Sequence, residues 1–199
     1  MQRRVQSCAP GLPVPPPPGK PLAYGPPVTD TKPVLHSHCS ACGARYPAGT
    51  TGWPRTCPVC ATTAYRNPLP VAVALLPVTS PHGAGLLAIT RAIDPGHGGT
   101  ALPGGFIDHG EDWRTAVVRE LREETGLDAD PGSVRLADVL GSAEHLLVFG
   151  LLPPVEADAL TAFTPTPETS ARLILGEPRE LVFPLHTEAV RKWFAGAYG

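Results

Sequence analysis

The sequence is poor in charge, poor in aromatic residues and free of long apolar runs. Charged residues make up 17% of the 199 residues and the formal net charge is −2. This balance gives no general attraction to nucleic-acid backbones or anionic membranes. No apolar run approaches the roughly 20 residues that span a bilayer, and none near the start has the length of a secretory signal. We therefore expect a cytoplasmic protein with no membrane or nucleic-acid partner.

Proline, in contrast, is abundant, with 26 residues, and it is concentrated between residues 10 and 33. Proline fixes its φ angle and lacks a backbone donor, so this stretch favours extended, solvated chain. We predict that residues 1–34 form a disordered tail, in which Cys8 is an unpaired thiol. A docking motif for a proline-reading partner is the alternative interpretation of the same composition.

Four of the five cysteines form two hooks, CSAC at 39–42 and CPVC at 57–60, separated by 14 residues. Two such hooks typically make one four-thiolate tetrahedral site. Residues 35–66 are too few to bury a core, and zinc would supply the missing stability. Two disulfides or free thiols are the alternatives, and disulfides are rare in the cytosol. The spacing therefore predicts a structural Zn²⁺ held by Cys39, Cys42, Cys57 and Cys60.

The pattern changes at Asn67 to that of a mixed α/β domain, which we place over residues 67–199. Runs of strand length and two helical patterns alternate along it. The predicted strands are 71–78, 85–91, 102–107, 134–140, 145–152 and 171–175, and the predicted helices are 111–125 and 187–198. Interleaved strands and helices indicate a mixed sheet with helices packed on its faces.

Three carboxylates lie close together on the first predicted helix. Glu120, Glu123 and Glu124 occupy positions i, i+3 and i+4, so they point to nearly one side. Like charges at this spacing destabilise a helix by a few tenths of a kcal/mol per pair. A bound Mg²⁺ would reverse that sign, because it prefers carboxylate oxygens together with phosphates and water. A merely solvated helix face is the alternative for such a short motif.

The spacing around these glutamates is that of the Nudix box at all nine of its fixed positions. They are Gly105, Glu111, Arg119-Glu120-Leu121, Glu123-Glu124 and Gly126-Leu127. The sequence therefore resembles a Nudix hydrolase preceded by a zinc ribbon. The resemblance implies an α/β/α sandwich and hydrolysis of the diphosphate bond in a nucleoside diphosphate linked to another group.

The resemblance also implies a ligand set for Mg²⁺ or Mn²⁺. It consists of Glu120, Glu123, Glu124 and the carbonyl of Gly104, with Arg119 orienting the carboxylates. Glu111 begins the helix and has a supporting role.

The base that activates water is either a box glutamate, most simply Glu120, or a carboxylate on a later loop. Glu168 and Glu144 are the loop candidates. We rank Glu168 ahead of Glu144, because loops beside a cleft often supply such groups. A merely solvated loop carboxylate is the alternative interpretation of either residue.

The substrate is predicted from departures within the resemblance. NADH pyrophosphatases carry an SQPWPFP-type motif after the box, and residues 128–150 contain nothing like it. The proline typical of ADP-ribose enzymes is replaced by Gly141-Ser142. The chain looks closer to zinc-ribbon proteins of which some hydrolyse FAD. We expect a dinucleotide-like substrate such as FAD, with NADH or a nucleotide sugar also possible.

The same motifs also allow a different class of function. The chain would then be a ligand-sensing or protein-binding Nudix module whose zinc ribbon provides an interaction surface. The intact box favours catalysis, since a sensor does not need every metal carboxylate. We also expect that the ribbon supports a homodimer, and that Arg91, at a strand end, either meets a phosphate or is an ordinary surface arginine.

Overall fold

The structure is a computed structural model that describes residues 35–160 and 162–198. The predicted tail and Cys8 therefore lie outside the described residues. The chain divides into two compact units between Ala64 and Tyr65. Within the described ranges, no helix is long and apolar enough to cross a membrane.

The first unit folds around its cysteines. Strands β1 (Arg55–Thr56) and β2 (Thr63–Ala64) form a short antiparallel pair. Its buried core consists of Cys39, Tyr46 and Cys57. A core of this size cannot stabilise a domain alone, so the unit needs another source of stability.

Within residues 65–160 and 162–198, the second unit contains nine strands that form two mixed sheets. They are β3 (Leu69–Leu75), β4 (Pro77–Ser80), β5 (Gly83–Arg91), β6 (Thr100–Ala101), β7 (Gly104–Phe106), β8 (Arg135–Gly141), β9 (His145–Leu151), β10 (Val155–Glu156) and β11 (Thr169–Leu175). One sheet has the order β7-β3-β9-β8, with β3 and β9 parallel. The other has the order β10-β4-β5-β11, with β6 also paired to β5 and with β10 and β4 parallel.

Two α-helices accompany these sheets in the part of the unit that the structure describes. Helix α1 (Trp113–Thr125) follows Asp112, whose side chain accepts a hydrogen bond from the N–H of Arg114. It ends at Gly126, whose φ of 74° is the left-handed conformation that glycine tolerates best. Helix α2 (Pro184–Phe194) begins with proline in its first turn, where a missing N–H is harmless.

The two helices cover opposite faces of β3. Val117 of α1 shares a core cluster with Ala72, whereas Val190 of α2 shares another with Val73. Successive residues of a strand point to opposite faces, so β3 lies between the helices. The predicted α/β/α architecture with mixed sheets is confirmed.

The prediction of a single strand over 71–78 is wrong. The run is divided between β3 and β4, which belong to different sheets. A continuous apolar run does not show where a chain leaves one sheet for the next, and Pro77, at the division, begins the new strand.

The helix boundaries also differ from the predicted ones. The first helix begins at Trp113 rather than residue 111, because Asp112 serves as its cap. The last helix is Pro184–Phe194 rather than 187–198, since its first turn contains a proline and its apolar pattern continues beyond its end.

Candidate metal and active site

Helix α1 presents two buried carboxylates to the glycine pair that opens β7. Glu120 is 8% exposed and Glu124 is 3% exposed. The N–H of Gly104 donates to Oε2 of Glu124 at 2.8 Å. A Cβ added to Gly105 would lie 2.4 Å from Oε1 of Glu120. The missing side chain of Gly105 therefore lets the strand approach the carboxylates closely.

Arg119 joins the carboxylates into one network. Its Nη1 donates to Oε1 of Glu120 at 2.7 Å and to Oε2 of Glu123 at 3.2 Å. Its Nε and Nη2 each donate to the carboxylate of Glu111 at 2.9 Å. Nη2 also donates to the carbonyl of Phe106 at 2.9 Å, which ties the network to β7. Unlike Glu120 and Glu124, Glu123 is exposed to solvent.

Burial makes the two inner carboxylates hard to ionise. It raises the pKa of Glu124 to about 7, although the N–H of Gly104 lowers it, and the charges of Glu120 and Glu168 raise it further. Burial also raises the pKa of Glu120, despite the hydrogen bond from Arg119. In contrast, the hydrogen bond from Arg119 lowers the pKa of Glu111. At the two deepest carboxylates, burial thus outweighs the hydrogen bonds that favour the charged form.

This donor set fits a hard divalent cation. Carboxylate oxygens are the ligands that Mg²⁺ and Mn²⁺ prefer. Glu124 receives one backbone N–H, and Arg91 acts on it through its charge without forming an ion pair within the described residues. A cation shared by Glu120 and Glu124 would offset the free-energy cost of ionising these two buried carboxylates.

Glu168 interacts electrostatically with this pair of carboxylates. Its charge raises the pKa of both Glu120 and Glu124. Its own side chain is exposed, and its carbonyl accepts a hydrogen bond from the N–H of Ala92 at 2.8 Å. Glu144 is also exposed and lies in the turn before β9. The electrostatic effect of Glu168 on the pair favours it over Glu144 as the loop carboxylate of the site.

The four cysteines of the first unit form a separate cluster. Their sulfurs all lie within 4.8 Å of one another. The Sγ atoms of Cys39 and Cys60 are 3.7 Å apart, as are those of Cys42 and Cys57. Disulfide sulfurs would be about 2.05 Å apart. A tetrahedral Zn²⁺ with Zn–S bonds of about 2.3 Å places sulfurs ~3.8 Å apart, so the cluster fits zinc.

The two cysteine hooks adopt the same local turn. The N–H of Gly43 donates to the carbonyl of Cys39 at 2.9 Å, and the N–H of Ala61 donates to that of Cys57 at 2.9 Å. Gly43 and Ala61 both have positive φ, 74° and 57°. Glycine tolerates this conformation at Gly43, whereas the Cβ of Ala61 disfavours it, so the second hook contains a residue in an unfavourable backbone conformation.

Sequence reasoning missed His186, which lies on α2 and is 5% exposed. Its Nδ1 accepts a hydrogen bond from the N–H of Leu102 at 3.2 Å, just before the Gly104-Gly105 pair. The sequence gives no signal for this contact, because the two residues lie 84 positions apart.

Comparison with known proteins decides the family. A model of the NUDIX domain matches residues 68–195. The chain belongs to the Nudix family. The resemblance seen in the box is therefore confirmed, and the site described above lies within the Nudix domain.

Two curated proteins share segments of this Nudix chain. It is 55% identical over 42 residues to an ADP-ribose pyrophosphatase of Methanocaldococcus jannaschii, covering 21% of this chain and 25% of that protein. It is 44% identical over 54 residues to the chloroplastic Nudix hydrolase 26 of Arabidopsis thaliana, covering 27% and 22%. The matches therefore span about a quarter of the length of each relative.

A crystal structure of a NUDIX hydrolase from Nitrosomonas europaea has the same fold. It superimposes with a TM-score of 0.59 at 24% sequence identity, covering 80% of this chain and 90% of that one. The Nudix domain of Shewanella oneidensis NrtR, determined with ADP ribose, gives a TM-score of 0.51 at 18% identity. Both comparisons concern the fold alone.

Proposed function

We propose that this chain is a metal-dependent Nudix hydrolase that cleaves the diphosphate bond of a nucleoside diphosphate linked to another moiety. The observation that carries the proposal is the burial of Glu120 and Glu124 against Gly104-Gly105, which raises the pKa of both carboxyl groups. The names of the two curated relatives, a pyrophosphatase and a hydrolase, support the same activity. They do not favour the sensing or protein-binding alternative.

The proposed ligand set for Mg²⁺ or Mn²⁺ combines the box carboxylates with one backbone oxygen. When bound, the cation neutralises the diphosphate charge and lowers the pKa of water. Arg119 holds two of the carboxylates in place, and Glu111 holds Arg119. The set consists of Glu120, Glu123, Glu124 and the carbonyl of Gly104.

We assign the proton acceptor to Glu168. Its charge reaches the carboxylate pair, yet its side chain is exposed and is not engaged by Arg119. A general base must be free to approach the water that it deprotonates, and a loop carboxylate meets that need. Glu120 is the alternative base, but Nη1 of Arg119 already donates to its Oε1.

Arg91 is proposed to bind a substrate phosphate. Its Nε donates to the carbonyl of Pro95 at 2.8 Å, and its guanidinium lies 5.1 Å from the ring centre of Phe183. Within residues 35–160 and 162–198, its two Nη atoms have no hydrogen-bond acceptor. A guanidinium held at one edge with its outer nitrogens available is suited to bidentate phosphate binding.

The substrate class is proposed to be dinucleotide-like, with FAD, NADH, ADP-ribose and nucleotide sugars as members to compare. The missing NADH-type motif argues against NADH, while the ADP-ribose pyrophosphatase relative keeps ADP-ribose in the set. The four-cysteine cluster is proposed to hold structural Zn²⁺, and its role in a homodimer stays a prediction.

The proposed function is tested by incubating purified protein and Mg²⁺ with each of these compounds and with nucleoside triphosphates. Chromatography of the products identifies the bond that is cleaved. We expect two monophosphate products from at least one diphosphate-linked compound, with no reaction when the cation is chelated. Tight binding without turnover across the set would contradict the proposal.

Alanine substitutions at the two glycines are expected to have different effects. A Cβ at Gly105 meets the end of the Glu120 side chain at 2.4 Å, so Gly105→Ala should displace that carboxylate and reduce hydrolysis at least ~100-fold while the protein remains folded. A Cβ at Gly104 meets the carbonyl oxygen of Ala72 at 2.4 Å, so Gly104→Ala should disturb the β3–β7 pairing and lower the melting temperature. Activity assays and thermal unfolding of both variants check this. Equal melting temperatures with equal activities would contradict it.

A further inference from the structure

The chain passes from one sheet to the other immediately before the glycine pair. Strand β6 pairs with β5, and β7 pairs with β3 in the other sheet, so Leu102 and Pro103 form the crossing. Leu102 is 1% exposed and lies outside both strand pairings. Its N–H is therefore a buried donor that must find an acceptor elsewhere.

His186 of α2 supplies that acceptor. Its Nδ1 lies 3.2 Å from the nitrogen of Leu102, so the ring carries its proton on Nε2. The ring is packed edge-on against Phe149 and Phe183, with centroid distances of 6.1 and 5.1 Å. Burial, aided by the charge of Arg91, lowers the pKa of His186 to about 3. The ring is thus neutral near pH 7 and Nδ1 stays an acceptor.

The crossing segment is fixed at three successive residues. His186 accepts from Leu102, the carbonyl of Pro103 accepts from the N–H of Ala74 at 2.8 Å, and Gly104 donates to Glu124 at 2.8 Å. The first of these contacts comes from α2, the second from β3, and the third is the hydrogen bond that holds the metal carboxylate. Loss of the Leu102–His186 hydrogen bond would free the backbone two residues before Gly104, whose N–H donates to Glu124.

We propose that His186 is a positioning residue for the metal site, acting through Leu102 to hold Gly104 against Glu124. This inference rests on the proposed function, since it takes Glu124 and Gly104 as metal ligands. His186 touches neither carboxylate. Its hydrogen bond to Leu102 instead sets the position of the backbone at Gly104, which contacts Glu124.

An ordinary core histidine would satisfy one buried N–H and contribute only to stability. A positioning role and a purely stabilising role affect different measured quantities. A positioning residue alters metal affinity beyond the effect of an equal loss of stability. A stabilising residue lowers the melting temperature and leaves metal affinity unchanged.

The experiment compares three variants of the full chain. His186→Asn places an oxygen acceptor where Nδ1 was, and His186→Leu places a methyl group there. Val190→Ala, on the same helix and 0% exposed, removes core packing but no hydrogen-bonding atom of the Leu102–His186 contact, and it serves as the control. For each protein we measure Mn²⁺ affinity by electron paramagnetic resonance, the melting temperature, and hydrogen exchange at the Leu102 amide.

We expect His186→Leu to weaken Mn²⁺ binding at least ~10-fold and to speed exchange at Leu102. His186→Asn should stay within ~3-fold of wild type, and Val190→Ala should keep wild-type affinity despite a lower melting temperature. The proposal is overturned if His186→Leu keeps wild-type Mn²⁺ affinity, or if the Asn variant loses as much affinity as the Leu variant. Because the readout is Mn²⁺ binding, these outcomes do not depend on which compound is hydrolysed, or on whether any is.

Discussion

Replacing Glu124 with glutamine is expected to abolish hydrolysis and to stabilise the metal-free protein. Glutamine keeps an oxygen that accepts the N–H of Gly104, so the local fold is retained. It removes a metal-binding charge, and a catalytic metal supplies several kcal/mol of charge stabilisation, so we expect turnover to fall at least ~1000-fold. It also removes a buried charge that Glu120 and Glu168 repel.

The gain in stability should depend on pH in a defined direction. In the folded protein burial raises the pKa of Glu124 to about 7, against an ordinary value of 4.5. Between these values the folded state holds a proton that the unfolded state has released. The wild type therefore loses roughly 1.4 kcal/mol of unfolding free energy per pH unit from pH 4.5 to 7, and the loss is complete above pH 7. Glu124→Gln has no titrating carboxyl group at this position, so its unfolding free energy does not fall in this way.

Denaturant unfolding of metal-free wild type and Glu124→Gln at pH 5 and pH 8 checks both statements. The variant should be more stable by up to about 3 kcal/mol at pH 8 and by much less at pH 5. Glu144→Gln is the matched control, because Glu144 is exposed in the turn before β9, and it should change neither stability nor turnover. Full activity of Glu124→Gln, or a destabilised variant at pH 8, would contradict the assignment.

Removing zinc is expected to unfold the first unit. Among the described residues 35–64, its buried core consists of Cys39, Tyr46 and Cys57, with Ala44 packed against them. Structural zinc in comparable small units contributes an apparent binding free energy of about 10–16 kcal/mol at pH 7. Chelation, or Cys57→Ser, should therefore abolish the ordered structure of residues 35–64, while the second unit, which has its own core clusters, keeps its unfolding transition.

Metal analysis and thiol titration measure this effect. The purified protein should contain one zinc per chain, and chelation should make four additional thiols reactive. Cys8→Ser, outside the described residues, is the control and should keep the full zinc content. A folded protein without zinc, or disulfides linking the hooks, would show that the cluster has another role.

The parts of the site that follow local periodicity were predictable from the sequence. Helical spacing placed Glu120 and Glu124 on one side of a helix, and the structure has both buried against the glycine pair. The same spacing did not distinguish Glu123, which is exposed. The difference arises from β7, which covers one flank of the helix, and no local pattern reports which flank a strand covers.

The parts that depend on tertiary pairing were not predictable. The division of the apolar run 71–78 between two sheets depends on partners far along the chain. The same holds for His186, whose partner Leu102 belongs to the crossing between those sheets. Both features follow from where the chain changes sheets, which hydrophobic periodicity does not encode.

The buried carboxylates of α1 are proposed to bind a divalent cation, and Mn²⁺ titration of the metal-free wild type across pH 5.5 to 8 is the sharpest test of that binding. Because the cation must displace the proton of Glu124, the apparent affinity should rise up to about tenfold per pH unit until about pH 7 and then level off. Glu124→Gln should bind weakly at every pH. Equal Mn²⁺ affinity in wild type and variant, with no dependence on pH, would contradict the account.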